Sequence, residues 1–231
     1  DWTGVTNTPT FQVKTTVSDW IYTWVYGSFI LDTNMIVDFR GAEFYFTGDQ
    51  DYTFDPKGHY LGDNCWIAVN YGGASKPVIC NVLSDVNPAG LYLNQGRLNL
   101  NGNTWVEKDS YVWVKGDSSV LDITGSTVDA NTFFLNATTN GASILSGGST
   151  VKVHTQLRVS QAPLDHVILA DSARINLYSH TFNTLEIVSN LGFAPGVKAL
   201  YRLSRPNPVV SAICFIPLAL AIFPIASNKA S

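Results

Sequence analysis

The chain is poor in charge. Asp, Glu, Lys and Arg make up 14% of its 231 residues, against about 25% in an average soluble domain. Lys and Arg number 14 against 18 Asp and Glu, a net charge of −4. The basic footprint of a nucleic-acid binder is therefore missing, and no nucleic-acid partner is expected. Disorder is excluded too, because 45% of the residues are apolar and disorder needs low hydrophobicity with high net charge. Cysteine is scarce and odd in number. Cys65, Cys80 and Cys214 show no C-x-x-C spacing, which favours buried free thiols over a disulfide framework.

Chemical signatures are absent as well. There is no glycine-rich phosphate loop after a strand, no G-x-S-x-G elbow and no H-E-x-x-H, which sets nucleotide and zinc-protease chemistry aside. His59, His154, His166 and His180 lack metal-ligand spacing, and no cofactor is expected. No secretory leader pattern is visible, and a start at Asp1 reads as a processed product or a fragment. One uncharged run of 18 residues, Val209–Ala226, is interrupted by Pro217 and Pro224. It is at the lower limit for a bilayer span, so a buried terminal segment or subunit contact is expected rather than a membrane partner.

What the chain does have is a repeat. Gly102-Asn103-Thr104-Trp105, Gly125-Ser126-Thr127-Val128 and Gly148-Ser149-Thr150-Val151 recur at a step of 23. The same step links Leu98, Leu121, Ile144 and Val167, and also Leu100, Ile123, Ser146 and Leu169. Two further columns are Tyr111, Phe134, Leu157 and His180, and Trp113, Asn136, Val159 and Phe182. One extra residue after Leu145 sets Val151-Lys152-Val153 against Ile175-Asn176-Leu177 at a step of 24. Within each copy apolar and polar residues alternate, as in Leu98-Asn99-Leu100 and Leu185-Glu186-Ile187. That is the period of half-buried strands. Short strands separated by Gly, Asn, Ser and Thr corners, repeated at constant step, specify an all-β solenoid: a right-handed parallel β-helix with coils of about 23 residues over Arg97–Ser189. A β-sandwich does not explain the constant step.

The corner Phe39-Arg40-Gly41-Ala42-Glu43-Phe44 repeats the apolar-x-Gly-x-x-apolar pattern of Leu100–Trp105 and Ile123–Val128, which extends the helix back to about Ser28. Asp51–Pro88 is less regular, with longer loops of the kind that build binding surfaces. Ser18 is a possible cap for a short helix ending at Gly27, with Trp20, Ile21, Trp24 and Val25 on one face, closing the open end of the solenoid. The rival reading of this stretch is a strand. The organisation expected is a cap segment at 1–27, the parallel β-helix at 28–190 and an apolar C-terminal segment at 191–231.

The stretch Leu31-Asp32-Thr33-Asn34-Met35-Ile36-Val37-Asp38-Phe39-Arg40-Gly41-Ala42-Glu43-Phe44 resembles the first coil of bacteriophage tailspikes with a pectin-lyase-like β-helix. The resemblance covers Ser18–Phe46, and the coil pattern carries it to about Ser189. It implies a homotrimer, on a virion tail, that binds and often cleaves a bacterial surface polysaccharide. The chain is short for a tailspike, and the usual particle-binding head is not visible. Secreted and autotransporter-type adhesins, extracellular or on the cell surface and without catalysis, are the alternative.

Hydrolysis of a polysaccharide needs two carboxylates placed across the bond. Asp38, Glu43, Asp122, Asp129 and Glu186 fall at outward positions or corners, and Glu107 and Asp109 share one turn. Spacing singles out no pair, so no catalytic residue is assigned. A lyase would want a base with a nearby cation, for which His154 with Lys152 or Arg158 is available. Aromatic side chains are the better clue, since sugar rings stack on them through their C–H faces. Trp105, Tyr111 and Trp113 fit the columns and are expected in the core. Tyr45 lies between Phe44 and Phe46 and so points outward, and Trp66, Tyr71 and Tyr92 belong to the irregular stretch. The carbohydrate-binding residues expected are Tyr45, Trp66, Tyr71 and Tyr92, with Glu43 and Asp63 as polar partners. The sequon Asn136-Ala137-Thr138 is read as incidental.

Overall fold

The computed structural model describes residues 1–13, 21–70, 78–115, 118–136, 141–160, 163–171, 173–178, 181–189, 199–204 and 211–213. Strands form where apolar and polar residues alternate. They begin with β1 (Thr10–Gln12), β2 (Ile21–Val25), β3 (Phe29–Ile30), β4 (Ile36–Asp38) and β5 (Ala42–Phe46). Then come β6 (Tyr52–Asp55), β7 (Trp66–Val69), β8 (Ile79–Val82), β9 (Gly90–Leu93) and β10 (Arg97–Asn99). The regular repeat holds β11 (Thr104–Val114), β12 (Val120–Asp122), β13 (Thr127–Asn136), β14 (Ser143–Leu145) and β15 (Thr150–Ser160). The last described strands are β16 (Pro163–Ala170), β17 (Arg174–Tyr178), β18 (Thr181–Ser189), β19 (Ala199–Ser204) and β20 (Ser211–Ile213).

Successive coils stack through parallel pairs, and only β19 and β20 join antiparallel among the described strands. One face is the six-stranded sheet β14-β12-β10-β8-β6-β3. β11, β13 and β15 each bend around a corner, marked by register shifts between Glu107 and Tyr111 and between Ala130 and Thr132. Their first halves form a second face. Their second halves join β2, β5, β7, β9 and β17 in a third, the lateral face. The chain is therefore a parallel β-solenoid, as its period requires. Inside it, Phe44, Ile67, Leu91, Val112, Phe133 and Leu157 succeed one another in register and are buried. Leu98, Leu121 and Ile144 do the same across the flat face, keeping the 23-residue step. No coil could bury this row alone, so the stacking is what holds the fold.

The recurring corner closes with the same hydrogen bond four times. Ala42, Asn103, Ser126 and Ser149 donate their backbone N–H to the carbonyls of Phe39, Leu100, Ile123 and Ser146 at 2.8–3.0 Å. Gly41, Gly102, Gly125 and Gly148 stand at the third place with φ of 70°, 81°, 66° and 69°, the left-handed conformation such turns demand there.

Three sequence expectations change. The helix expected to end at Gly27 is instead a strand at Ile21–Val25, which pairs in parallel with Ala42–Phe46. Its β-branched and aromatic residues fit a pleated edge, and Ser18 and Trp20 lie outside the described residues. The N-terminal end is covered by residues 1–13 instead. β1 pairs with β4, and Trp2 and Phe11 pack on Phe29 and Phe39 at centroid distances of 5.3 and 5.0 Å.

Second, the constant step fails past the corner. Tyr111 pairs with Thr132 and Trp113 with Phe134, so the columns Tyr111–Phe134–Leu157 and Trp113–Asn136–Val159 do not form. Between β13 and β15 one extra residue of β15 enters after Val153; between β11 and β13 the cause is Glu107, which turns inward in register with Ala130 and is 3% exposed. Its carboxylate accepts the backbone N–H groups of Ser110 and Asn131, so the chain bulges around it.

Third, the flat face ends at β14, and the following coil is shorter. Val167 pairs with Val151, not Ile144, and Ile175 pairs with Leu157, not Val151. Pro163 and Asp165 sit directly over the preceding corner, where Ser146 Oγ donates to the Pro163 carbonyl at 3.0 Å and the Gly148 N–H to the Asp165 carboxylate. His180, Cys214 and most of Val209–Ala226 lie outside the described residues. Cys65 and Cys80 are free and buried, as expected, and burial pushes both thiols up.

Candidate binding groove

The outward positions of the lateral face carry aromatic rings coil after coil. In one column Trp24, Tyr45, Ala68, Tyr92, Trp113 and Phe134 follow in register. In the neighbouring column come Tyr22, Glu43, Trp66 and Gly90. Trp24 stacks on Tyr45 at 4.8 Å, and Trp66 stacks on Tyr92 at 5.0 Å. Tyr111 meets Trp66 edge-on at 4.7 Å, and its hydroxyl is hydrogen-bonded to that of Tyr92. Trp113 lies 5.4 Å from Tyr92 and 6.3 Å from Phe134. These are offset and edge-to-face contacts, the arrangements in which aromatic pairs attract.

Gly90 makes the arrangement possible. A Cβ there would lie 2.6 Å from Trp66 Cε3, so the indole lies flat across a position only glycine leaves open. Around the rings is an open groove of about 370 Å³ lined by Glu43, Tyr45, Trp66, Tyr92, Asn94, Tyr111, Trp113 and Lys115. The Lys115 ammonium sits 4.8 Å from the Trp113 ring centroid, a cation–π contact. At the other end, partial burial raises the Glu43 carboxyl above its ordinary value, opposed by a hydrogen bond from Tyr45.

Of the six residues expected from sequence, Glu43, Tyr45, Trp66 and Tyr92 line this groove. Asp63 does not. It occupies an exposed corner, where it accepts the Tyr60 hydroxyl. Tyr71 lies outside the described residues. Tyr111 and Trp113, expected in the core, are half-buried on the lateral face, whereas Trp105 is in the core at 1% exposure with its indole N–H on the Ala89 carbonyl. The signal that would have found them is the alternation itself. In Tyr111-Val112-Trp113-Val114 the two valines continue the inward row of Leu91 and Leu93, so both aromatics face out.

The outward acids are individually engaged. Arg40 holds Asp38 at 2.7 Å and its hydrogen bond lowers that carboxyl to about 2. Arg97 pairs with Asp122, and His166 lies 3.6 Å from Glu186. At the corner between the second and lateral faces, Lys152 donates to Asp129 at 2.9 Å. His154 bridges Asp129 and Asp171 through its two ring nitrogens at 2.7 and 2.6 Å. Burial alone would lower the His154 pKa, but these carboxylates outweigh it and raise it. An imidazole with both nitrogens so occupied is set to clip three coils together, not to take a proton from a substrate. Arg158 stands apart from it on the lateral face. Among the described residues no cluster of His, Cys, Asp and Glu could hold a metal ion.

No protein-family model matches the chain, and comparison with curated proteins and with solved structures finds no match either.

Proposed function

We propose that this β-solenoid binds a polysaccharide and that the sugar chain lies in the aromatic groove of the lateral face. The observation that carries this reading is the ring surface itself: Trp66, Tyr92, Tyr111 and Trp113 on three successive strands, bordered by Glu43, Asn94 and Lys115. Sugar rings offer C–H faces to aromatic planes and hydroxyls to flanking polar groups, and this groove supplies both. Successive strands are about 4.8 Å apart, close to the length of one pyranose unit, so an extended chain along the solenoid axis meets about one strand per sugar. The likeness of Leu31–Phe44 to the first coil of tailspikes supports a bacterial surface polysaccharide as the ligand. It also supports a receptor-binding role as a homotrimer.

The test is binding of the purified chain to a panel of bacterial surface polysaccharides. Tyr111→Ala and Trp113→Ala should each weaken binding about 3- to 10-fold, the worth of one aromatic contact. Variants that melt like the parent and bind equally well would refute the groove. Light scattering addresses the assembly: a trimer supports the tailspike reading, and a monomer points to the adhesin.

A further inference from the structure

We infer that the polysaccharide is acidic, its sugars bearing carboxylate, sulfate or phosphate groups that the C-terminal end of the lateral face receives. This rests on the reading of the groove as a glycan site. The aromatic column does not stop at Phe134: the next residue in register is Arg158. In the neighbouring column Tyr111 is followed by Thr132, Gln156 and then Arg174. Arg158 and Arg174 are exposed and form no ion pair with a described carboxylate. Diagonal neighbours on adjacent strands lie about 7–8 Å apart, a spacing two guanidinium groups can share on one anionic chain. Two guanidinium groups thus continue the line of the rings, and Lys115 stands beside Trp113 within it.

The acids nearby do not compensate Arg158 and Arg174. Among the described residues, Glu43 is the one carboxylate at an outward position of this face. It lies five strands from Arg158, about 24 Å at the usual strand spacing. Asp129 and Asp171, at the adjoining corner, are already held by Lys152 and His154. In a chain of net charge −4, this is a local positive field on an otherwise acidic molecule. Guanidinium groups bind carboxylate, sulfate and phosphate through paired N–H donors, which a neutral sugar would leave unused.

The experiment uses the full chain on an array of purified neutral and acidic bacterial polysaccharides, with single-stranded oligothymidine as competitor. The polysaccharides bound should be acidic. Carboxyl reduction, desulfation or dephosphorylation should abolish binding, and about 0.5 M salt should weaken it. Arg158→Gln and Arg174→Gln, both at exposed positions and checked by thermal melts, should each cost about tenfold or more. Binding to neutral polysaccharides, unaltered in these variants, would overturn this inference and leave the groove reading standing. Binding to no polysaccharide would overturn both, as would oligothymidine displacing every bound one.

Discussion

Replacing Gly90 by Ala isolates the contact on which the aromatic groove is built. Gly90 has no left-handed φ, so alanine strains nothing in the backbone, and the whole effect falls on Trp66. The new Cβ would stand 2.6, 2.7 and 2.9 Å from Cε3, Cδ2 and Cε2 of the indole, well inside contact distance. The ring has no room to slide, with Tyr92 stacked at 5.0 Å and Tyr111 edge-on at 4.7 Å. It must lift outward and give up part of both contacts. Forcing a methyl group into a packed site costs about 1–3 kcal/mol. At about 2–4 °C per kcal/mol for a chain of this size, the melting temperature should fall by roughly 2–12 °C. The decisive assay is a double-mutant cycle by denaturant unfolding. In the Trp66→Ala background Gly90→Ala should cost nearly nothing, giving a coupling energy of about 1 kcal/mol or more. A penalty of the same size with and without the indole would refute the reasoning.

The shifted register makes Phe133 a core residue and Phe134 a surface one. Phe133→Ala should therefore cost about 3–5 kcal/mol in urea unfolding and Phe134→Ala much less, and the reverse order would restore the constant 23-residue step. His154 has a raised pKa in the fold, so its contribution is fully present below the unfolded value of 6.5 and is lost as pH rises through the folded one. Unfolding free energies between about pH 5 and 9 should show this fall in the parent and not in His154→Gln. Cys65 and Cys80, buried with thiols pushed up, should resist alkylation until the chain unfolds, as mass spectrometry of the labelled peptides will report.

The groove and the corner network answer different needs of a solenoid. Each coil is held by its neighbours alone, so a side chain that bridges coils stabilises the stack where the flat face has ended. His154 does this across β13, β15 and the Asp171 turn, beyond the last strand of the flat face. The aromatic stack serves the N-terminal half in the same way, with Tyr45 and Trp66 buried in it and Tyr92, Tyr111 and Trp113 left half-exposed. A fold that gains rigidity from the same rings that would meet a ligand holds its site preorganised.

The solenoid was legible in the sequence because both of its signals are local or strictly periodic. Alternation marks the faces of each strand, and the Gly102, Gly125 and Gly148 corners mark the step. Outward Tyr45 followed from Phe44 and Phe46 on the same ground. The bulge was different. A buried carboxylate at Glu107 absorbs two residues of one coil, so although alternation turns Tyr111 and Trp113 outward, only the finished packing shows that the rings they meet include Tyr92. Propensity likewise left Ile21–Val25 open between helix and strand, and pairing with Ala42–Phe46 decided it. Composition and period thus determined that coils would stack. Which side chains share a face, and so where a groove exists, depended on register between residues more than 20 positions apart, which local free energies do not set.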